Sequence, residues 1–417
     1  MYQDIKFEEL EINSRQTTVF GVDTSGEYLI KIQVRESEKK QNNISEEYEI
    51  IKSLNEKGCK TCPTAYEFGN ISKSEVISKL EDENAKQVIN SLEEEELSYI
   101  IQDYISHTEE YSFADVLLTL IEQKALGVYQ GDVKPQNIRY DEDSRICYFI
   151  DYDQSIILSD EQKSLSNEEY FSFCSQYDKD KYGIGNWTRH FDDYFCNFSQ
   201  VIIDGRLNLA NTSLLRDQVT TNSVSGIYHT IDEKDVFAVG SRGIDERASL
   251  LQNTEFKKGE KVLDIGCNTG LLSMYLHDRG CSVTGVDNDP LITEASKIVS
   301  NIVGKDIDYY HMDLDDVDQI EEKFDTIMLF SVFHHTKNVI ENAKKISNSC
   351  NRFIIETRLM ERGSQPIKKG LWGKTTSWDF RNLDEMSAYF ESIFDGFKFK
   401  KNLGMGNKSR YILEFTK

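Results

Sequence analysis

Val262-Leu-Asp-Ile-Gly-Cys-Asn-Thr-Gly270 is the stretch that most constrains what this chain can fold into. Val262 to Ile265 is an apolar run of strand length, and the glycines after it predict a sharp turn into a helix beginning near Leu271. Gly266 and Gly270 permit a backbone path that a side chain would block, so the loop can pass close to a bound ligand. Asp264, at the strand end, brings a carboxylate beside that loop. A second run, Ser282-Val-Thr-Gly-Val286, ends in Asp287, about 20 positions further on. Strand, glycine turn, helix and acid-tipped strand together predict one unit of a parallel sheet.

The pattern then repeats. Asp289-Pro290 reads as a helix start with proline in the first turn. Tyr309 to Asp313 is expected as a third strand ending in an acid, Phe324 to His335 contains a fourth, and Arg352 to Glu356 a fifth. Ser241 to Leu251 is expected as a helix leading into the unit. Strands alternating with helices at this spacing predict an α/β, Rossmann-like, doubly wound sheet. In such sheets ligands bind at the carboxyl ends of the strands, and an acid placed like Asp287 takes ribose hydroxyls.

The amino-terminal half reads differently. Residues 17–34 alternate as a hairpin turning at Asp23-Thr-Ser-Gly26, with Lys31 inside its second strand. Ile44 to Asn55 has helical spacing and carries Glu46, Glu47 and Glu49, so a lysine–glutamate pair is available. Residues 73–97 are rich in Glu, Lys, Asp and Asn and read as a solvated helical insertion; 97–105 is a strand and Phe113 to Ala125 a helix. Then come Tyr129-Gln-Gly-Asp-Val-Lys-Pro-Gln-Asn-Ile-Arg-Tyr140 and Cys147-Tyr-Phe-Ile-Asp-Tyr-Asp153. Two acids and an amide gathered by a loop and a hairpin can hold magnesium and orient a hydroxyl. Asp151 ends an apolar strand, where a carboxylate facing no site would be costly.

Gly-Asp-Val-Lys-Pro-Gln-Asn resembles the catalytic loop of protein-kinase-like phosphotransferases, and Ile-Asp-Tyr-Asp resembles their metal-binding segment. The resemblance covers roughly residues 10–200 and implies an α+β bilobal kinase-like domain. By it, Lys31 holds the ATP phosphates and Glu47 pairs with it, Asp132 accepts the acceptor's proton, and Lys134 neutralises the transferring phosphoryl group. Asn137 and Asp151 bind Mg²⁺. The chain departs from the pattern at Gln130, where a histidine is usual, and at Asp153, where a glycine is usual. No GxGxxG precedes Lys31; polar Asn13-Ser-Arg-Gln-Thr-Thr18 stands there, as in a less glycine-rich phosphate lid.

Val-Leu-Asp-Ile-Gly-Cys-Asn-Thr-Gly resembles the first motif of class I S-adenosylmethionine-dependent methyltransferases, over about residues 240–417. By that likeness Gly266 and Gly270 approach the methionine part beside Asp264 and Asn268. Asp287, with Asn288, takes the ribose; Asp313 and Leu314 meet the adenine; Phe330 and Ser331 close the pocket. Plain dinucleotide binding is the competing reading, and the loop lacks the third glycine it needs. His334-His335 offers a general base or substrate contact, or a histidine capping the next helix. Arg358, Arg362, Lys368, Lys369, Lys374 and Arg381, with Trp372 and Trp378, suit an anionic or sugar acceptor, although a solvated loop accounts for them equally.

Composition narrows the partners. Acids outnumber bases 72 to 48, a net charge of −24, which opposes nucleic-acid binding and adsorption to anionic lipid. No apolar run reaches the length of a membrane span, the amino terminus has no signal-peptide pattern, and scattered cysteines with a lone Cys59-Lys-Thr-Cys62 fit free thiols in a reducing cytoplasm. The expected organisation is a kinase-like domain at 1–207, a linker at 208–240 and a methyltransferase domain at 241–417. The pairing is similar to kinase–methyltransferases that terminate bacterial O-antigen polysaccharides, in which the best-known members place the methyltransferase first. That resemblance implies ATP, Mg²⁺ and S-adenosylmethionine, a glycan acceptor phosphorylated and then methylated on the phosphate, a glycosyltransferase as a partner, and at most peripheral membrane association. A small metabolite, nucleoside or antibiotic as acceptor, and a kinase-fold scaffold beside an active methyltransferase, are the alternatives.

Overall fold

The computed structural model describes residues 6–35, 41–106, 111–182, 201–215, 227–320, 322–333, 336, 338–358, 380, 382–406 and 410–417. The chain divides into two compact units: Met1–Ser213 with Lys234–Val236 and Asn301–Gly304, and Leu214–Glu233 with Phe237–Ser300 and Lys305–Lys417.

The first unit is built on a five-stranded antiparallel sheet, in the order Glu11–Ile12, Thr18–Val22, Tyr28–Gln33, Glu96–Asp103, Ala65–Ser72. Alternation along Tyr28–Gln33 buries Ile30 and Ile32 in an apolar cluster and turns Lys31 to the other face. The stretch read as a solvated insertion is two helices, Lys73–Lys79 and Glu83–Asn90, whose Val76, Ala85 and Ile89 join that cluster. Its charge marks only the outer face. The helix Ile44–Glu56, started by a capping box between Asn43 and Glu46, carries Glu47 on its buried side. Beyond the sheet, the helix Phe113–Ala125 is capped by Ser112 and Asp115 and is buried along nearly its whole length. Two short pairs follow, Ile138–Asp141 with Ile146–Phe149 and Val128–Tyr129 with Ile156–Ile157, then the helix Asn167–Tyr182.

The second unit is a seven-stranded sheet in the order Asp308–His311, Ser282–Asp287, Lys261–Ile265, Thr326–Phe330, Arg352–Arg358, Arg410–Thr416, Lys398–Gly406. The first five strands are parallel, and Arg410–Thr416 runs against both of its neighbours. Successive residues of the central strands feed opposite cores: Leu263, Ile265, Ile327 and Leu329 on one side, Val262, Met328 and Phe330 on the other. A sheet covered on both faces needs continuous apolar strands, which is why these segments show no polar alternation. The helices include Asp245–Leu251, Leu271–Asp278, Pro290–Ile302, Val339–Ser349 and Leu383–Ile393.

The stretch expected as a linker, 208–240, is not plain linker. Its described residues include strands at Ile227–His229, Ile231–Asp232, Val236–Ala238 and Gly240–Arg242, with Ile231, Val236 and Ala238 fully buried. Strands of two or three residues are too short to show a period, so a polar composition hid them. Among the described residues no helix is long and apolar enough to cross a membrane.

Candidate functional site

In the first unit, Lys31 Nζ donates to Glu47 Oε1 at 2.8 Å and Oε2 at 2.7 Å, and to Asp151 Oδ1 at 2.6 Å. Burial alone would lower the Lys31 pKa, but the carboxylates of Asp151 and Glu47 hold it above the usual lysine range. Glu47 is buried at 2% exposure, and the Tyr152 amide donates to its Oε1 at 3.1 Å, so the buried charge is fully engaged. Asp151 adopts a left-handed backbone, φ 63°, ψ 74°, a conformation that costs about 1–3 kcal/mol and is typical of functional positions.

Gln130 holds that conformation in place. Its Nε2 donates to the Ile150 carbonyl at 2.8 Å and the Asp151 carbonyl at 2.7 Å, while its Oε1 accepts from the Asp132 amide at 2.8 Å. One amide thus ties the loop of Asp132 to the segment of Asp151, a task for which its donor and acceptor ends suffice without a histidine. Asn137 Nδ2 donates to the Asp132 carbonyl at 2.9 Å and to Asp132 Oδ2 at 3.1 Å; Lys134 is ion-paired with the same carboxylate. Both Asn137 donors are engaged, which leaves its amide oxygen as the remaining acceptor. Burial pushes the Asp132 carboxyl upward, Lys134 opposes this, and Asp151 and Asp153 add to the rise. Lys31, Glu47, Asp132, Lys134, Asn137 and Asp151 all line one cleft of about 810 Å³.

Among the described residues no three His, Cys, Asp or Glu side chains are grouped to hold a metal. A Mg²⁺ that keeps water and phosphate oxygens needs only one or two protein oxygens, and the Asp151 carboxylate and Asn137 amide oxygen are donors of that hard type. Cys59 and Cys62 are buried free thiols.

In the second unit, Asp264 is sealed from solvent and accepts from Ser273 Oγ at 2.7 Å, and burial raises its carboxyl to about 6. Its contact joins the strand end to the following helix. Gly266 and Gly270 have φ of 72° and 74°. A Cβ at Gly266 would lie 2.9 Å from Val332, and one at Gly270 would collide with the Tyr309 ring, so internal packing already requires both glycines. Asp287 Oδ2 accepts from the Asn268 amide at 2.9 Å and Oδ1 from the Asp289 amide at 3.1 Å, which fixes the glycine loop to the second strand. Each oxygen keeps a lone pair for a ribose hydroxyl. Asn268, at φ 50°, has a buried Oδ1 with no hydrogen-bond partner, an acceptor suited to a ligand donor at the loop.

Asn288 is exposed. Asp313 caps the short helix Leu314–Gln319 by accepting from the Asp315 amide at 3.0 Å, and Leu314 and Phe330 lie in apolar cores. His334 and His335 lie outside the described residues, as do Arg362, Lys368, Lys369, Trp372, Lys374, Trp378 and Arg381. The structure also gathers a charged network that the sequence did not suggest. Arg247 Nε and Nη2 donate to Glu356 at 2.9 and 2.6 Å, its Nη1 lies 2.9 Å from His229 Nε2, and Ser331 Oγ donates to Glu356. Ser331 has a left-handed φ of 57° just after the fourth strand, and the Arg247 guanidinium lies 5.7 Å from the Phe330 ring centre. Glu356 was open to the reasoning applied to Asp151: an acid closing an apolar strand needs a partner.

Residues 263–354 match the family described as "Methyltransferase domain". They form a methyltransferase domain. A ubiquinone biosynthesis O-methyltransferase of Pseudomonas syringae pv. tomato is 28% identical over 112 residues, 27% of this chain and 44% of the relative. Another, from Idiomarina loihiensis, is 31% identical over 110 residues, 26% of this chain and 44% of the relative. The chain therefore spans less than half the length of the curated relatives it matches. A structure of the bifunctional kinase-methyltransferase WbdD is similar at 15% identity and a TM-score of 0.35, covering 48% of this chain and 45% of that one. A likeness that partial does not bear on function. In the methyltransferase domain, Asp287, Asn268 and the Ser331–Glu356 pair all stand at the carboxyl ends of the parallel strands, where such sheets bind ligands.

Proposed function

We propose that the chain is a bifunctional transferase that phosphorylates a hydroxyl with ATP and methylates the product with S-adenosylmethionine. The observation that carries the first half is the cleft of the first unit, where Lys31, Glu47 and Asp151 interlock beside Asp132, Lys134 and Asn137. Lys31, oriented by Glu47, binds phosphate oxygens. Asp132 accepts the acceptor hydroxyl's proton as that oxygen bonds to the γ-phosphorus and the bond to the ADP oxygen breaks. Lys134 balances the charge moving between them. Asn137 and Asp151 would hold Mg²⁺, which supplies charge neutralisation at the phosphates when bound.

The second half rests on the methyltransferase domain. Asp287 and Asn268 would hold S-adenosylmethionine, which supplies an electrophilic methyl carbon. We take the nucleophile to be the new phosphate monoester. Its second pKa is about 6, so it is charged near neutral pH and needs alignment more than a base. Its oxygen bonds to the methyl carbon as the carbon–sulfur bond breaks. A glycan is the acceptor we favour, from the resemblance to polysaccharide-terminating enzymes.

Replacing Asp287 by Ala should weaken S-adenosylmethionine binding by roughly 1.5–3 kcal/mol, through loss of a charged acceptor and of the loop's anchor. Calorimetric titration of both proteins measures this. Native affinity in the variant would place the cofactor elsewhere.

A further inference from the structure

The cleft of the first unit is a poor place for a polyanion. Seven carboxylate side chains line it against four cations: Arg15, Lys31, Lys134 and Arg139. Three of the four are committed. Lys31 is held by Glu47 and Asp151, Lys134 by Asp132, and Arg139 Nη1 donates to the carbonyls of Gln136 and Ile138 at 2.8 Å each. Among the described residues, Arg15 is the cleft-lining cation that makes no hydrogen bond or ion pair within the protein. A nucleotide triphosphate entering this cleft meets net repulsion that bound cations must offset.

Arg15 lies at the tip of the hairpin that joins Glu11–Ile12 to Thr18–Val22. Lids of this kind hold phosphates with backbone N–H groups when they are rich in glycine. Here the tip is folded onto itself. The Asn13 amide donates to the Thr18 carbonyl at 2.9 Å, the Gln16 amide to the Asn13 carbonyl at 2.9 Å, and the Thr17 amide to Asn13 Oδ1 at 3.0 Å. Asn13 Nδ2 also reaches Thr17 Oγ1 at 3.3 Å, and Gln16 sits at φ 56°. These amides cannot cradle a phosphate without opening the turn. Three of the tip's amides are thus spent within the turn, and the cation that the tip brings to the cleft is the Arg15 side chain.

We propose that Arg15 is the phosphate clamp of this lid, binding the β- and γ-phosphate oxygens of ATP through its guanidinium in place of glycine amides. Guanidinium is suited to the task because it is always charged and offers paired donors to phosphate oxygens. The proposal rests on the kinase reading of the cleft, and its test separates the two. Arg15 is exposed, so substitution leaves the fold intact. Calorimetric titration of the full chain and of Arg15→Ala with Mg-ATP and with adenosine is the experiment. The expected result is a loss of roughly tenfold to hundredfold in Mg-ATP affinity, unchanged adenosine affinity, and partial recovery in Arg15→Lys. Equal Mg-ATP affinity in wild type and Arg15→Ala overturns the clamp and leaves the kinase reading standing. Absence of Mg-ATP binding by the wild type overturns both. A parallel loss of adenosine affinity also overturns the clamp, since it would mean that Arg15 shapes the cleft without selecting phosphate.

Discussion

Asp132→Asn is expected to reduce phosphoryl transfer by roughly 10²- to 10⁴-fold, the usual contribution of a positioned base, with Mg-ATP binding little changed. The substitution keeps the size of a buried side chain, and the asparagine oxygen can still accept from Asn137 Nδ2, now 3.1 Å from the carboxylate. What disappears is the carboxylate proposed to take the hydroxyl's proton. Burial and the nearby Asp151 and Asp153 push that carboxyl up, against the pull of Lys134. Asp151→Ala acts at a different step: it removes the carboxylate proposed to hold Mg²⁺, one of the two that hold Lys31, so Mg-ATP affinity should fall. Rates of ADP release with calorimetry on both variants separate the roles. Unchanged turnover in Asp132→Asn would remove the catalytic assignment.

Glu356→Ala should destabilise the methyltransferase domain by about 3–5 kcal/mol, the cost of leaving one partner of a buried ion pair uncompensated. Arg247 and Glu356 have side-chain exposures of 9% and 4%, and the carboxylate takes two guanidinium hydrogen bonds and the Ser331 hydroxyl. Its loss strands the cation and releases the left-handed Ser331 together. Removing both charges, as Arg247→Met with Glu356→Ala, should cost less than the two single changes added, because Arg247 is then not left without its carboxylate, although Arg410, 3.8 Å from Glu356, still loses a partner. The pH dependence has a definite sign. Burial raises the Glu356 carboxyl, but the bonds from Arg247 more than offset this and hold it below the ordinary glutamate range. A depressed acid stabilises the fold above its unfolded pKa, about 4.3, and loses that contribution as pH falls toward its folded value. The gap between wild type and Glu356→Gln should therefore close on acidification. Urea unfolding of wild type, the two single variants, the double variant and Glu356→Gln measures all of this, and a single-mutant loss below about 1 kcal/mol would show that the pair is not the keystone its burial implies.

The glycine turn and the acid-tipped strands were legible because they are local: each is fixed by residues within a few positions of one another. The helix Phe113–Ala125 was legible for the same reason, its bounds marked by an apolar run. The meeting of Lys31 with Glu47 required only that one strand and the next helix pack together. Other features depend on contacts that no spacing encodes. Arg247 and Glu356 are remote in sequence, and neither segment names the other. Gly270 was expected to make room for a ligand, and the structure gives it a second reason in Tyr309, which arrives from the third strand. Gln130 stood out only as a departure from a familiar loop, yet its amide bridges Asp132 and Asp151. The short strands within 208–240 carry no periodic signal at all.

The most direct test of two successive transfers is methyl incorporation from labelled S-adenosylmethionine into a panel of defined glycans, with and without ATP, by the wild type and by Asp132→Asn. Both proteins should retain the methyltransferase domain intact. The wild type should methylate its glycan only when ATP is present. Asp132→Asn should methylate none of the unmodified panel and recover full incorporation on the same glycan carrying a chemically installed terminal phosphate. Equal methylation of phosphorylated and unphosphorylated glycan, or full incorporation without ATP, would contradict successive transfer.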